Sequence, residues 1–476
     1  MLKFSAKTAR RTRLLPLAAA ILLAGCSSMA PEYSRSELPL ANDWQNSLST
    51  DAQGLSDQQA TQVPWQSFIK EPRLAQVIEL ALSSNRSLRQ TLADVDAARA
   101  TYRIQRADLY PQVNADLSGN RSRSSGDISS TYAAEAGLSG YEIDLFGKNR
   151  SLTEAQMEAY LASEATAKAT EISLISEIAN AWLTLAADQS ALTLAKETMN
   201  NAQQAMEITQ KRLTLGVDSQ IDLVSAETIY HSARSDTALY QTQVAQDINA
   251  LNLLVGEPLN SNLLPNALPE SSTLVTDVPA GLSSEVLLQR PDVLAAEHDL
   301  KSANANIGVA RAAFFPSLSL TATGGIASSL LSDLFTGGAS SIWTIAPSLS
   351  LPIFDGGAND ANLAYSEALQ QKTLAAYEYA IQNAFSEVAD ALARRATIQE
   401  QLSAENALVA ASSRQYELSL ARYQNGVDSF QNTLEAQRTM YSAQQSLILT
   451  RQTDLDNRIT LYRVLGGGLT SDAEQG

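Results

Sequence analysis

Cys26 is the only cysteine in 476 residues, and therefore the only thiol nucleophile. It follows Leu23-Ala24-Gly25, small residues that suit a processing peptidase. A single cysteine allows no internal disulfide and no Cys-built zinc or iron–sulfur site. His231 lies between Tyr230 and Ser232, and His298 between Glu297 and Asp299. Neither has a metal-ligating neighbour at the required spacing, so both read as surface or packed residues. Gly-x-Ser-x-Gly, His-Glu-x-x-His and phosphate-loop motifs are all missing. The chain therefore reads as not an enzyme and as needing no cofactor. A glycosidase working with carboxylates alone stays open on this ground. What remains are two similar stretches, Gly216-Val217-Asp218-Ser219 and Gly426-Val427-Asp428-Ser429. In each, a glycine that can stop a helix precedes Asp and Ser, which can cap the next one.

The residues before Cys26 look like an address. Lys3, Lys7, Arg10, Arg11 and Arg13 precede an apolar run from Leu14 to Gly25, too short to span a bilayer. Together with Cys26 this resembles the bacterial lipobox. That resemblance implies cleavage before Cys26, its acylation with N-acyl and S-diacylglycerol lipid, and, because Ser27 rather than Asp follows, sorting to the outer membrane. An ordinary signal peptide with a buried free cysteine is the alternative. The chain holds 34 Lys+Arg against 51 Asp+Glu, a net charge of −17. Cleavage would remove five basic and no acidic residues, giving −22. Such an acidic chain argues against nucleic-acid binding. Three acyl chains bury enough CH₂ groups to hold a protein on a membrane.

No apolar stretch of about 18 residues follows Cys26, so a spanning element would have to be a β-barrel. Residues 26–72, with Pro31, Pro39, Pro64 and Pro72, read as an N-terminal arm with little structure of its own.

The rest is one unit written twice. Arg106-Ala107-Asp108-Leu109-Tyr110-Pro111 matches Arg311-Ala312-Ala313-Phe314-Phe315-Pro316, 205 residues on. Leu145-Phe146-Gly147 matches Ile353-Phe354-Asp355-Gly356-Gly357 with an offset of 208 at the Phe. Arg212 to Ser219 matches Arg422 to Ser429, offset 210, and both halves end alike at Leu254-Val255-Gly256 and Val464-Leu465-Gly466. Four matches in one order mark a duplication. Each copy predicts a helix, two strands and two helices. The domains expected are a signal peptide (1–25), the arm (26–72), a first repeat (73–257) with strands within 111–143, a linker (258–283), a second repeat (284–466) with strands within 316–353, and a tail (467–476). The first hairpin is expected to have a loop at 121–130. Neither Pro nor Gly interrupts 148–215, which as helix would run for ~100 Å at ~1.5 Å per residue.

Two periodicities follow. Ile175, Ile178, Trp182, Leu185, Gln189 and Leu192 recur in steps of 3 and 4, as do Leu374, Tyr377, Ile381, Ala384, Val388, Ala391, Arg395, Ile398 and Leu402. Such seams suit a coiled coil, and equally a two-helix stalk. The strands alternate instead: Val113, Ala115 and Leu117 oppose Asn114, Asp116 and Ser118, and Trp343, Ile345, Leu349 and Leu351 oppose Thr344, Ser348 and Ser350. Alternation over ~10 residues fits a membrane barrel, and also a half-buried soluble sheet. Trp343, Tyr132 and Tyr141 could belong to an interfacial belt or pack within a sheet. Four strands cannot close a barrel, since known ones start at about eight, so a channel would need several copies in cyclic symmetry.

The lipobox, the duplication, the Tyr-Pro and Phe-Pro strand entries, the Leu-Phe-Gly and Phe-Asp-Gly-Gly exits and the two Gly-Val-Asp turns together resemble the TolC-type outer-membrane factor family, in its OprM-like lipoprotein branch. The resemblance covers residues 26–470. It implies a mostly α fold with a transmembrane β-barrel: a homotrimer whose 12 strands continue into a long α-helical coiled-coil tunnel through the periplasm. It implies an outer-membrane conduit for efflux of drugs or other toxic small molecules, with a periplasmic adaptor (membrane fusion) protein and an inner-membrane pump of the RND type as partners. A type I secretion channel and a structural envelope lipoprotein are the alternatives. By the same resemblance Gly216, Val217, Asp218, Gly426, Val427 and Asp428 form the periplasmic tip and contact the adaptor. Glu435 stands where the family carries a constricting carboxylate, Asn432 where some relatives are acidic, and Tyr423 where a residue helps hold the tip shut. Asp222 occupies the spacing of Asn432 in the first copy. All four are gate candidates, and exposed polar residues near a turn are the plainer reading of each.

Overall fold

The computed structural model describes residues 28–35, 63–275 and 284–467. Cys26, residues 1–25 that are expected to be a signal peptide, and most of the expected tail at 467–476 lie outside the described residues. The main helices are α1 (Pro72–Ser84), α2 (Arg86–Ala107), α3 (Lys148–Thr214), α4 (Gln220–Val255), α5 (Pro291–Ala312), α6 (Ala358–Gln424) and α7 (Phe430–Val464). The strands are β1 (Val113–Ser124), β2 (Asp127–Ile143), β3 (Ser317–Ser328) and β4 (Ser340–Ser350). No helix among the described residues is long and apolar enough to cross a membrane. Two compact units are present. One draws on residues up to 38, on 93–165 and on 295–379, and the other on 39–92, 166–294 and 380–476.

The first unit carries the sheet, an antiparallel meander in the order β1-β2-β3-β4. Its registers put Val113 opposite Leu138, Leu138 opposite Ala322 and Ala322 opposite Ile345, so one face is apolar across all four strands. The face between carries Asn114, Asp116, Glu135, Thr321, Thr323 and Thr344. Both edges, β1 and β4, are open, and Val113, Leu117, Trp343, Ile345 and Leu349 are exposed. In β2 the register shifts between Leu138 and Tyr141, where Gly140 has φ +66°. This one-residue bulge changes the parity, so Ala134, Ala136 and Leu138 share a face with Tyr141 and Ile143. The first hairpin is tighter than expected. β1 pairs through to Ser124 and the turn is only Ser125-Gly126, both at positive φ (52° and 99°). The loop expected at 121–130 is ladder, because Arg121 to Ser124 pair through their backbones without an apolar alternation to signal it.

The second unit packs around α3. Ile175, Ile178, Trp182 and Leu185 are buried against Leu74, Val77 and Ile78 of α1, Leu251 and Val255 of α4, and Leu455 and Ile459 of α7. Each such side chain contributes roughly 1.5–3 kcal/mol by leaving water. The arm departs from expectation here: Phe68 and Ile69 are buried in this core, and the Phe68 ring stacks on Tyr462 at 4.1 Å. The one helix expected before the strands of the first repeat is broken at Asn85, whose side chain accepts from Leu88 N at 2.7 Å and donates to the Leu254 carbonyl at 2.6 Å. An Asn that caps the following helix and holds a neighbouring carbonyl ends α1 there.

Candidate functional site

The two helical turns between α3 and α4 and between α6 and α7 are built alike. At the end of α3, Gly216 N bonds to the Leu213 carbonyl and Val217 N to the Arg212 carbonyl, each at 2.9 Å. At the end of α6, Gly426 N bonds to the Tyr423 carbonyl and Val427 N to the Arg422 carbonyl at the same distances. This pair of bonds needs a left-handed residue just past the helix, and Gly216 (φ 73°) and Gly426 (φ 71°) supply it. Each turn is then lashed by its own ion pair. Arg212 Nε donates to both Asp218 oxygens at 3.0 and 2.9 Å, and Arg422 donates to Asp428 at 2.5 and 3.2 Å. The Arg422 hydrogen bond holds the Asp428 carboxyl below the usual carboxylate range.

Beyond this the turns differ. Ser219 caps α4 in a reciprocal capping box with Asp222: Asp222 N donates to Ser219 Oγ at 3.2 Å and Ser219 N to Asp222 Oδ2 at 2.9 Å. The Asp222 carboxylate is thus engaged in holding the helix start. Ser429 sits at the same place before α7 but makes no side-chain cap bond. Its box partner would be Asn432, which is exposed, as is Glu435 one turn later on the same helix face.

Tyr423 joins the two turns. Its hydroxyl donates to Asp218 Oδ2 at 2.6 Å, its ring lies 4.8 Å from the Arg212 guanidinium carbon, and it tilts against Phe430 at 4.9 Å. It is buried in a small cluster with Ala202, Ala226, Ile229, Phe430 and Leu434. Burial, followed by the Asp218 hydrogen bond, pushes the phenol up to about 12. Arg212, Arg422 and Phe430 were not singled out in the sequence, although both arginines stand six residues before an aspartate in each repeat. Val217 and Val427 are exposed, and Leu215, Ile221 and Val224 extend the apolar surface at the first turn. This arrangement can make a hinge and an apolar contact surface.

His298 Nδ1 meets Glu158 Oε2 at 2.6 Å, and His231 is exposed with its ring edge against Tyr230 at 5.1 Å. Among the described residues no group of three or more His, Cys, Asp and Glu could hold a metal. Trp343 is exposed on the apolar sheet face, Tyr132 covers Gly119, and the Tyr141 hydroxyl donates to the Leu109 carbonyl at 3.0 Å.

The family model described as outer membrane efflux protein matches residues 77–257 and 282–467. The chain is 42% identical over 463 residues to the probable efflux pump outer membrane protein TtgC of Pseudomonas putida, covering 96% of this chain and 95% of that one. It is 40% identical over 458 residues to the outer membrane protein OprJ of Pseudomonas aeruginosa, covering 94% of each. Its fold matches the crystal structure of the open state of the Neisseria gonorrhoeae MtrE outer membrane channel with a TM-score of 0.84 and 37% identity, over 94% of this chain and all of that one. The MtrE protein is named as a channel, and this chain, which shares its fold, is a channel protein rather than an enzyme. The chain belongs to the outer membrane efflux protein family and is an outer-membrane efflux channel component.

Proposed function

We propose that three copies of this chain form a passive conduit across the outer membrane, with the Gly-Val-Asp turns as its periplasmic entrance. The observation that carries this is a four-stranded sheet with one apolar face, one polar face and two open edges. In lipid those edge groups need partners, and only a closed barrel supplies them. The duplication supports a way to close it. Within the chain Phe146, after β2, stacks on Phe315, before β3, at 4.7 Å. Their counterparts in the repeats are Phe354, after β4, and Tyr110, before β1, which are 93% and 60% exposed at the two open edges. The β2–β3 pair Tyr141↔Leu320 maps by the same offsets onto Leu349 of one copy and Ala115 of the next. Three copies would then give 12 strands in one ring.

In such a ring Glu435, Asn432 and Tyr423 belong to the entrance, with Glu435 as a carboxylate ring that favours cations and Tyr423 as a brace for the closed tip. Val217, Val427 and the neighbouring apolar residues offer a docking surface for a periplasmic adaptor, which would link the channel to an inner-membrane pump of the RND type. Relatives named for antibiotic and for toluene efflux support drugs and other toxic small molecules as cargo. Acylation of Cys26 would add a lipid anchor beside the barrel. Light scattering of the detergent-purified protein, with detergent subtracted, tests the reading: a mass near three chains supports it, and a stable monomer overturns it.

A further inference from the structure

Followed away from the helices, the apolar face of the sheet ends in arginine. The β1 residues on that face are Val113, Ala115, Leu117, Gly119, Arg121 and Arg123, and the ladder sets Ser130 opposite Arg121 and Ile128 opposite Arg123. Both arginines are exposed. Neither side chain has a hydrogen-bond or ion-pair partner among the described residues. By contrast Arg150, Arg212, Arg290, Arg395 and Arg422 each hold a carboxylate. The nearest acid in sequence, Asp127, pairs with Ser124 and so takes the other face. In a chain with 51 acidic residues against 34 basic ones, two unneutralised arginines side by side make a local positive site.

Their height follows from strand geometry. Barrel strands tilt by about 35–45° and carry an apolar band about 25 Å tall. At ~3.4 Å per residue, Val113 to Arg121 is ~27 Å of strand and ~21 Å of height, and Arg123 stands ~26 Å above Val113. The helices join the sheet at the Val113 and Ile143 end, and the Ser125-Gly126 turn lies at the other. The arginines therefore come at the outer rim of the apolar band. Trp343 marks the same level. The register that sets Leu349 of one copy opposite Ala115 of the next also sets Trp343 opposite Arg121, and tryptophan favours the membrane–water interface.

We propose that Arg121 and Arg123 form a binding site for the phosphate groups of lipopolysaccharide, the lipid of the outer leaflet, repeated once per copy around the barrel. The proposal rests on the closed-barrel reading. A guanidinium is a planar fork that donates two parallel hydrogen bonds to a phosphate and keeps its charge at any working pH. Side chains two residues apart on one face stand ~7 Å from each other, so the pair can grip one phosphate from two sides or hold two neighbouring ones. Ile128 beside Arg123, and Tyr132 over Gly119 just below Arg121, offer apolar contact to the acyl chains of the same molecule. The lipid A part of lipopolysaccharide carries two phosphate monoesters on one disaccharide, more charge than the single diester of a phospholipid, and inorganic phosphate has no chains for Ile128 and Tyr132 to touch. The site belongs to the first repeat alone. The offset of 205 maps Arg121 and Arg123 onto Ile326 and Ser328 of β3, and no Lys or Arg lies between Ser328 and Ser340.

The test titrates the full-length protein, purified in detergent and stripped of endogenous lipid, with bis-phosphorylated lipid A and reads bound lipid by native mass spectrometry. Arg121→Gln with Arg123→Gln should weaken binding about tenfold or more, because the charge-assisted bonds to phosphate are lost. Arg414→Gln, which changes an exposed arginine on α6, should leave it unchanged. Lipid A with its phosphates removed should bind the wild type about as weakly as intact lipid A binds the double variant. Neither phosphatidylglycerol nor inorganic phosphate at matched concentration should displace bound lipid A. Equal affinity of wild type and double variant overturns the site. Displacement by phosphatidylglycerol overturns the choice of lipopolysaccharide, and displacement by inorganic phosphate overturns a lipid ligand altogether. Light scattering of the same samples reads the barrel separately: a trimer whose lipid A binding ignores both arginines sinks this site alone, whereas a stable monomer sinks the barrel reading and the site with it.

Discussion

Tyr423 and Asp218 stand 205 residues apart in the chain and meet at 2.6 Å, hydroxyl to carboxylate. Asp218 already holds Arg212, and Arg212 covers the Tyr423 ring. Three side chains from two repeats thus form one joint between the two turns. The first repeat has Leu213 where the second has Tyr423, so the joint exists at only one of the two junctions that the duplication would allow.

Tyr423→Phe keeps the ring and removes the bond. A hydrogen bond to a charged group is worth about 1.5–3 kcal/mol, and a shift of 1.4 kcal/mol changes an equilibrium about tenfold. If the joint holds the tip closed, Tyr423→Phe and Asp218→Asn should each raise the open probability of reconstituted channels by about that factor, and the double variant should add little to either. Single-channel recording decides it. Conductance and open probability equal to wild type in both variants would remove the joint from gating.

The start of α7 offers a second comparison. Glu435 and Asn432 share an exposed face, and Ser429 lacks the box that Asp222 gives Ser219. Glu435→Ala should lower the cation preference of the channel, read from the reversal potential in a salt gradient. Asn432→Asp should raise it, and should also complete a capping box worth roughly 1 kcal/mol of helix stability. Reversal potentials that move in neither variant would leave Glu435 as an ordinary surface carboxylate.

Much of this was legible because the repeats carry their own punctuation. Gly216 and Gly426 end helices where the sequence places the stops, and Ile178, Trp182, Ile381 and Val388, read from a 3-and-4 rhythm, are fully buried. Strand alternation was clear in β1 and β4, whereas the bulge at Gly140 shifts the parity of β2 midway and so breaks any single alternation along it. Contacts between distant residues left no local mark. Neither the Tyr423–Asp218 bond nor the hydrogen bonds that Glu297 of α5 accepts from Tyr33 at 3.1 Å and Arg35 at 2.6 Å has a periodicity to reveal it.

Two carboxylates in the second unit make stability depend on pH. Asp456 Oδ1 is buried without a hydrogen-bond partner, and burial pushes its pKa up to about 7. Asp247 is raised by burial and then by the hydrogen bond and charge of Asp188. A carboxyl whose folded pKa is raised binds its proton more tightly when folded. Its favourable contribution is complete below the unfolded value near 4 and is lost as pH rises through the folded value, for Asp456 between about 4 and 7. The thermal midpoint should therefore rise when pH is lowered from 7.5 to 5.5, and Asp456→Asn or Asp247→Asn should flatten that rise and lift the midpoint at pH 7.5. A wild-type midpoint that does not rise on acidification would refute the assignment.

The junction between copies can be fixed residue by residue. β2 and β3 pair Tyr141 with Leu320, so the offsets of 208 and 205 put Leu349 of one copy opposite Ala115 of the next. Directly opposed residues have Cβ atoms about 4.5–5.5 Å apart, within reach of a disulfide after slight adjustment. The variant with Leu349→Cys and Ala115→Cys should form linked dimers and trimers on mild oxidation, resolved on a denaturing gel, while either single variant should not. Moving one residue, to Leu349→Cys with Asn114→Cys, places the thiols on opposite faces of the sheet and should abolish the link. Equal linking by both pairs would refute this register, and linking by neither would break the equivalence between the junction inside the chain and the junction between chains. Phe354→Ala should weaken the same junction without touching the β2–β3 pair, lowering the trimer's resistance to detergent while leaving the Phe146–Phe315 stack in place.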